Sequence, residues 1–180
     1  SGFVLLNIFI YICLPFFFNY DKLKINKYCS TFEVQCLIEG KIKYTFFPTP
    51  RLKFKNLVVL TFDSKKLVVA NNVAIKVAIN KLANQDNFKF TKFEVKNSEI
   101  NFYLDDLKKY KKIFNKITFS SPIIFKKSNI NFFDENQKKF STIKEADVKV
   151  KNLNDVIIKG IFLNDEIYIN YKKKQKNLIL

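Results

Sequence analysis

From Phe32 to Tyr171 the chain returns repeatedly to one pattern, a large apolar residue at every second position. Extended strands point successive side chains to opposite sides, so a period of two specifies strands with one dry and one wet face. Phe32, Val34, Cys36 and Ile38 share a face, and Ile42, Tyr44 and Phe46 follow after a Glu39-Gly40 turn signal, which reads as a hairpin-like pair. Leu52 and Phe54 alternate with Lys53 and Lys55, the phase slips at Asn56 as a bulge allows, and Leu57 and Val59 resume it. The style continues through Val73, Ile75, Val77 and Ile79, then Phe88 and Phe90, Phe93 and Val95, and Ile100, Phe102 and Leu104. Val148 and Val150, and finally Ile167, Ile169 and Tyr171, close the series. The fold class is mostly β: a twisted antiparallel sheet of roughly nine strands. One short stretch reads as helix, with Asp105 or Asp106 capping a stripe of Leu107, Tyr110, Lys111 and Phe114. Its lysine pairs, at 108–109 and 111–112, fit a solvated face.

An internal repeat crosses this pattern. Lys96, Ser98, Ile100, Asn101 and Phe102 reappear thirty residues later as Lys126, Ser128, Ile130, Asn131 and Phe132, and Tyr103 is answered by Phe133. Repeats of this length suggest units stacked in one dimension, each burying its apolar face against the next.

The amino-terminal end differs from the rest. Residues 1–20 carry no charge, and the apolar run ends sharply at Asp21, Lys22 and Lys24. A bilayer core of about 30 Å takes roughly 20 helical residues, so residues 1–21 are expected to form a membrane-spanning anchor, with residues 22–180 as the β-domain. A buried core helix would carry a polar face, whereas only Asn7 and Asn19 interrupt this run. A cleaved leader would exit through small residues, whereas this run exits through Phe18, Asn19 and Tyr20. The chain contains no Met and reads as a fragment, so the basic residues on the far flank are not available to set the orientation.

Charge narrows the partners less than its size suggests. The net charge is +16, but all but one of the 32 basic residues are lysines, Arg51 being the exception. Bidentate reading of bases and phosphates favours arginine, so nucleic acid is not expected as a partner. Histidine is absent, which excludes imidazole chemistry, and the three cysteines make no C-x-x-C pair for a metal. The carboxylate pairs Asp105-Asp106, Asp134-Glu135 and Asp165-Glu166 sit in polar, turn-like stretches where solvation explains them, so no enzyme activity, metal or cofactor is expected. Cys29 and Cys36 could pair in an oxidising compartment, but free thiols are favoured, because seven residues along a strand carry their Cα atoms beyond the roughly 7 Å that a disulfide spans.

Many strands with Phe and Ile on one side need a cover, yet few helices and compact turns are present to supply it. A second sheet would make a closed sandwich. An open twisted sheet would instead leave an apolar trough, suited to acyl chains that need dry contact along their length. The stretch Glu39-Gly40-Lys41-Ile42-Lys43-Tyr44-Thr45-Phe46-Phe47-Pro48-Thr49-Pro50-Arg51-Leu52-Lys53-Phe54-Lys55-Asn56-Leu57-Val58-Val59 resembles the amino-terminal signature of the AsmA family, with Gly40, Pro48, Pro50, Arg51 and Asn56 at the matching structural positions.

The resemblance implies a single-pass inner-membrane protein with its bulk in the periplasm, a β-groove that shields phospholipid acyl chains, and a part in outer-membrane lipid homeostasis and assembly. Alternation then nominates the lining: Ile42, Tyr44, Phe46, Leu57, Val59, Ile75, Val77, Phe93, Val95, Ile100, Phe102, Ile130 and Phe132. The alternative is a membrane-tethered β-sandwich that scaffolds other envelope proteins. Read on their own, Pro48 and Pro50 hold Phe47 and Thr49 extended between two strands, Gly40 serves a turn, and Arg51 protects an edge or meets a lipid phosphate.

Overall fold

A computed structural model describes residues 2–30, 33–61, 63–83, 90–110, 121–152 and 154–172. The readings made for Phe32, Phe88, Lys111, Lys112 and Phe114 lie outside these residues. Two helices, α1 (Gly2–Cys13) and α2 (Lys22–Ser30), precede the strands β1 (Val34–Ile38), β2 (Lys43–Thr45), β3 (Arg51–Thr61), β4 (Lys66–Val77) and β5 (Phe90–Tyr103). After them come β6 (Ile123–Phe133), β7 (Lys139–Asn152), β8 (Asp155–Phe162) and β9 (Asp165–Lys172). All nine strands belong to one sheet, ordered β1-β3-β4-β5-β6-β7-β8-β9, with β2 also on β3. The described residues contain no second sheet.

Four expectations need correction. The sheet is mixed, because β5 and β6 run parallel while every other pair is antiparallel. Hairpin alternation carries no sign of strand direction, and the long passage from Tyr103 to Ile123 is what lets β6 return in the same sense. β1 and β2 form no hairpin. Both lie along β3, with Ile38 opposite Leu57 and Tyr44 opposite Leu52, so Gly40, at φ 79°, turns the chain along an edge rather than back on itself.

The uncharged segment is not one continuous span. Helix α1 has 12 residues and gives way to a 3-10 turn at Leu14–Phe17, where Pro15 stands near the turn's start. At 1.5 Å per residue α1 measures about 18 Å, short of the roughly 30 Å of a bilayer core. No helix among the described residues is long and apolar enough to cross a membrane. Finally, Cys29 and Cys36 form a disulfide, with Cα atoms 5.9 Å apart. The distance argument assumed a strand, but Cys29 sits on α2, and the turn into β1 folds the chain back. Closing so short a loop contributes about 2–3 kcal/mol by loop entropy.

The thirty-residue repeat is a pairing register. In the parallel pair Lys96 lies beside Lys126, Ile100 beside Ile130, Asn101 beside Asn131, Phe102 beside Phe132 and Tyr103 beside Phe133. Like side chains meet: the Ser98 and Ser128 hydroxyls share a buried hydrogen bond of 2.7 Å, and Asn131 Nδ2 donates to Asn101 Oδ1 at 2.9 Å. The Phe102 and Phe132 rings stack at 5.9 Å, and the Tyr103 and Phe133 rings at 4.9 Å.

A crease crosses the sheet at mid-strand. Asn56 on β3, Asn97 on β5, Lys127 on β6 and Glu145 on β7 all have φ between 49° and 53°. The ladder skips a step beside each of them. A left-handed residue in a strand adds twist and resets the in/out phase, which is the slip that the sequence shows at Asn56. Small buried residues line the same crease: Ala70, Ser98, Ser128 and Ala146 are each at most 4% exposed. On β8, a Cβ added to Gly160 would lie 2.7 Å from Ile143 Cγ2 and 3.0 Å from the Lys144 carbonyl oxygen. The bend thus needs left-handed backbone and little side-chain volume at the same level. An L-residue held left-handed costs roughly 1–2 kcal/mol, so Lys127→Gly and Glu145→Gly are expected to raise stability in urea unfolding, and Lys126→Gly, one residue off the crease, to lower it. Equal losses from all three would show that the crease carries no strain.

Candidate functional site

Cross-strand pairing places directly opposed residues on one face. Two apolar rows therefore cross the sheet. One runs Tyr44, Leu52, Ile75, Phe93, Ile123, Val150, Val156, Tyr171, and the other Phe54, Val73, Val95, Phe125, Val148, Ile158, Ile169. Past the crease, Val59, Val68, Ile100, Ile130 and Ile143 continue the surface. Two buried clusters result, one over β3–β5 and one over β6–β7, and Phe125 packs against both, which joins them on one side of the sheet.

The nominated lining residues divide into two groups. Tyr44, Ile75, Val77, Val95 and Ile130 are 2–5% exposed and already sealed. Ile42, Leu57, Val59, Phe93, Ile100, Phe102 and Phe132 are half-buried, and Phe46 is exposed. Over the β2–β5 half the cover is the chain's own amino-terminal segment, since Tyr11, Tyr20 and Ile25 pack against that cluster together with buried Leu82. Tyr44 is the fastener. Its hydroxyl donates to the Ile12 carbonyl at 3.0 Å and its ring meets Phe16 edge-on at 5.0 Å. Burial raises the Tyr44 phenol above its ordinary pKa, which keeps it a donor throughout the physiological range. The Tyr20 hydroxyl similarly closes the 3-10 turn on the Pro15 carbonyl, at 2.7 Å.

Over the β5–β9 half the described residues supply little cover: Tyr110, just after β5, sets its ring edge-on against Phe102 at 5.8 Å, and no described element lies over β6–β9. There Ile100, Phe102, Phe125, Phe132, Val150, Val156, Ile158, Phe162 and Ile167 pack partly buried around Ile130, Ile143, Ala146 and Val148, and Ile169 and Tyr171 stand about half exposed at the free edge. Several of these were not nominated. Ile123 and Phe125 lie one repeat after Phe93 and Val95, so the thirty-residue offset applied backwards would have found them; Val156-Ile157-Ile158 is a continuous apolar run in which period two is invisible.

Beyond the sheet, α1 exposes Phe3, Val4, Leu5, Leu6, Ile8, Phe9 and Ile10, each more than half open to solvent. Between α1 and Ile79 lies an apolar cleft of about 460 Å³, lined also by Phe3, Val4, Ile8, Tyr11 and Ile12.

The opposite side of the β5–β6 passage is polar. Asp106, expected in a solvated turn, is only 2% exposed. It accepts from Lys65 Nζ at 2.8 Å and pairs with Lys109 at 2.8 Å, while Lys65 also reaches Asp105 at 2.7 Å and Lys109 reaches Asp63. Tyr110 is buried as the stripe requires, and its hydroxyl oxygen accepts the Tyr103 backbone N–H at 3.0 Å; Leu107, on the same stripe, is exposed. Burial alone would raise the Asp106 carboxyl, but hydrogen bonds from Lys109 and Lys65 hold it below the ordinary carboxylate range. The network ties the passage between the parallel strands to the β3–β4 turn, and its partners are all satisfied by one another, which is the signature of a structural clasp. Among the described residues no three His, Cys, Asp or Glu side chains converge as metal ligands.

Compared with known proteins, the chain matches no family model and no curated protein.

A carboxyl whose pKa is lowered on folding adds stability above its unfolded pKa and loses it as pH falls through the folded value. Asp106→Asn is therefore expected to cost about 1–3 kcal/mol at pH 7 and to flatten the loss of stability below about pH 4, the unfolded value of Asp. Urea midpoints measured from pH 3 to pH 7 check this. Parallel curves for the variant and the parent would show that Asp106 contributes nothing through its charge.

Proposed function

We propose that this chain is a membrane-attached β-groove that holds phospholipid acyl chains against the apolar face of its sheet and passes them between membranes. The observation that carries the reading is the β5–β9 half of that face: a continuous surface of aliphatic and aromatic side chains, partly buried, on which the described residues pack only the Tyr110 ring against Phe102 and no second sheet. Acyl chains fit such a surface because burial of apolar area drives binding with little need for directional bonds. At the other end α1 is apolar but for Asn7 and exposes the side chains from Phe3 to Ile10, a composition that suits a hydrocarbon environment. With α1 set into membrane hydrocarbon, the cleft beside Ile79 would open next to the bilayer, where a lipid tail can enter. The resemblance of Glu39–Val59 to the AsmA signature supports the same reading, with the inner membrane as the attachment site, the periplasm as the location of the sheet and outer-membrane lipid supply as the purpose.

A second reading has one observation in its favour. Tyr44, Ile75, Val77 and Val95 are sealed beneath the chain's own helical segment, as a closed core requires. On that reading the protein is a membrane-tethered scaffold for other envelope proteins, and the β6–β9 face meets a protein partner.

Photo-crosslinking amino acids at Phe102, Phe132 and Phe162 separate the two. The groove expects phospholipid adducts at these half-buried positions in cells and few at Lys76 or Lys149. Adducts made mainly with proteins, or lipid adducts equally frequent at the lysine positions, would count against acyl-chain carriage.

A further inference from the structure

The face of the sheet turned away from the apolar rows holds a hollow of about 590 Å³ near the β2 edge. Lys41, Lys43, Arg51, Lys53, Lys55 and Lys96 line it, against two carboxylates, Glu39 and Glu94, which leaves a surplus of four positive charges. Five of the six cations have no ion-pair partner among the described residues; Lys96 alone faces a carboxylate, Glu94, at 3.7 Å. Glu94 is itself shared with Lys92 at 3.4 Å and Lys126 at 3.7 Å, so little of its charge is left to neutralise the hollow. Glu39 is engaged by Asn56 Nδ2 at 3.1 Å.

The pairing register aggravates the repulsion. Lys43 lies directly opposite Lys53, and Lys96 directly beside Lys126. Like charges opposed across a ladder destabilise a sheet, and a concave, low-dielectric wall concentrates the field they produce. One fixed cation belongs to the same space. The guanidinium of Arg51 is oriented by its own motif, Nε donating to the Thr49 carbonyl at 3.0 Å and Nη2 to Thr49 Oγ1 at 2.9 Å. Thr45, opposite Arg51 in the ladder, also lines the hollow. The Pro48-Thr49-Pro50-Arg51 motif thus holds one guanidinium by its Nε and Nη2 donors at the rim of a lysine-lined basin, with Nη1 not spent on Thr49.

We propose that this hollow binds a multiply charged phosphate group. Phosphate oxygens supply several acceptors at once, matching a positioned guanidinium and point-charge ammonium groups around one concavity. The site lies on the face opposite the apolar rows and does not depend on acyl chains being bound there. Its phosphate can come from a free phosphoanion or from a lipid headgroup at a membrane surface, and the two sources are separable.

The test uses the full chain at low ionic strength. Calorimetric titration with inorganic pyrophosphate probes the free group, and flotation with phosphatidylcholine vesicles, with and without phosphatidic acid, probes the headgroup. Two charge-matched double variants are compared, Lys53→Gln with Lys55→Gln in the hollow, and Lys138→Gln with Lys139→Gln on the distant β6–β7 turn. The hollow pair is expected to weaken binding about tenfold and the distant pair less than about twofold, since both remove the same net charge. Site-dependent binding of pyrophosphate alone assigns a free phosphoanion, and site-dependent flotation assigns a lipid headgroup. Equal weakening by the two pairs, or no binding of either probe by the parent chain, would overturn the proposal. Lipid adducts at Phe102 and Phe132 persisting in the hollow pair would keep this outcome distinct from the acyl-groove reading.

Discussion

The parallel pairing of β5 and β6 is the joint on which the rest of the sheet depends. On one side stand β3, β4 and β5, successive antiparallel neighbours, and on the other β6, β7, β8 and β9. Each set could exist as a separate sheet with its own cluster. What makes them one surface is a set of like-on-like contacts, Ser98 with Ser128, Asn101 with Asn131, Phe102 with Phe132, and Tyr103 with Phe133. The polar members leave no lone donor in a buried strip, and Thr142 Oγ1 adds a further bond to Asn131 Oδ1 at 3.0 Å. The aromatic members widen the joint into a dry seam. Because the identical residue recurs at the identical level, a shift of register by one residue would set Ser against Asn and polar groups against rings, so the repeat fixes the pairing as well as stabilising it.

Given that joint, the crease has a clear purpose. Left-handed residues at one level on four strands bend the sheet along a line instead of at scattered points, and small side chains at Ala70, Ser98, Ser128 and Ala146 let the bend close. The amino-terminal segment then covers only the half of the apolar face nearest its own attachment, held by Tyr44 to Ile12 and by the bond between Cys29 and Cys36. The two faces of the sheet are chemically opposite. One carries the apolar rows, and the other carries lysines whose charges are unmatched around Arg51.

Much of the architecture was legible in the residues because period two is a direct image of strand geometry. Most strands, the slip at Asn56 and the turn at Gly40 follow from local pattern, whereas β8 was not read and Ile79 and Leu104, read as strand, lie in 3-10 turns; the repeat at thirty residues survives as spatial adjacency. Strand direction was not legible, since alternation is the same in parallel and antiparallel neighbours, and only the length of the passage between Tyr103 and Ile123 bears on it. The length of the first helix was misjudged because hydrophobicity was read without the break that Pro15 marks, where α1 has already given way to a 3-10 turn. The disulfide was missed because a distance along the chain depends on the conformation assumed for it, and Cys29 lies on a helix. Of the lining residues, Tyr44 shows the limit of pattern: its position on the apolar face is as expected, but its hydroxyl is spent on holding the helix, a long-range contact that no local periodicity encodes.

On the reading proposed above, these features belong to a sheet that keeps part of its oily side for lipid. Native mass spectrometry of the full chain, purified from membranes in mild detergent, tests that most directly. Bound diacyl phospholipid is expected on the parent chain and its loss on a Phe102→Asp, Phe132→Asp variant that still folds by circular dichroism. A parent chain that emerges free of lipid, or a variant that retains as much lipid as the parent, would contradict the account.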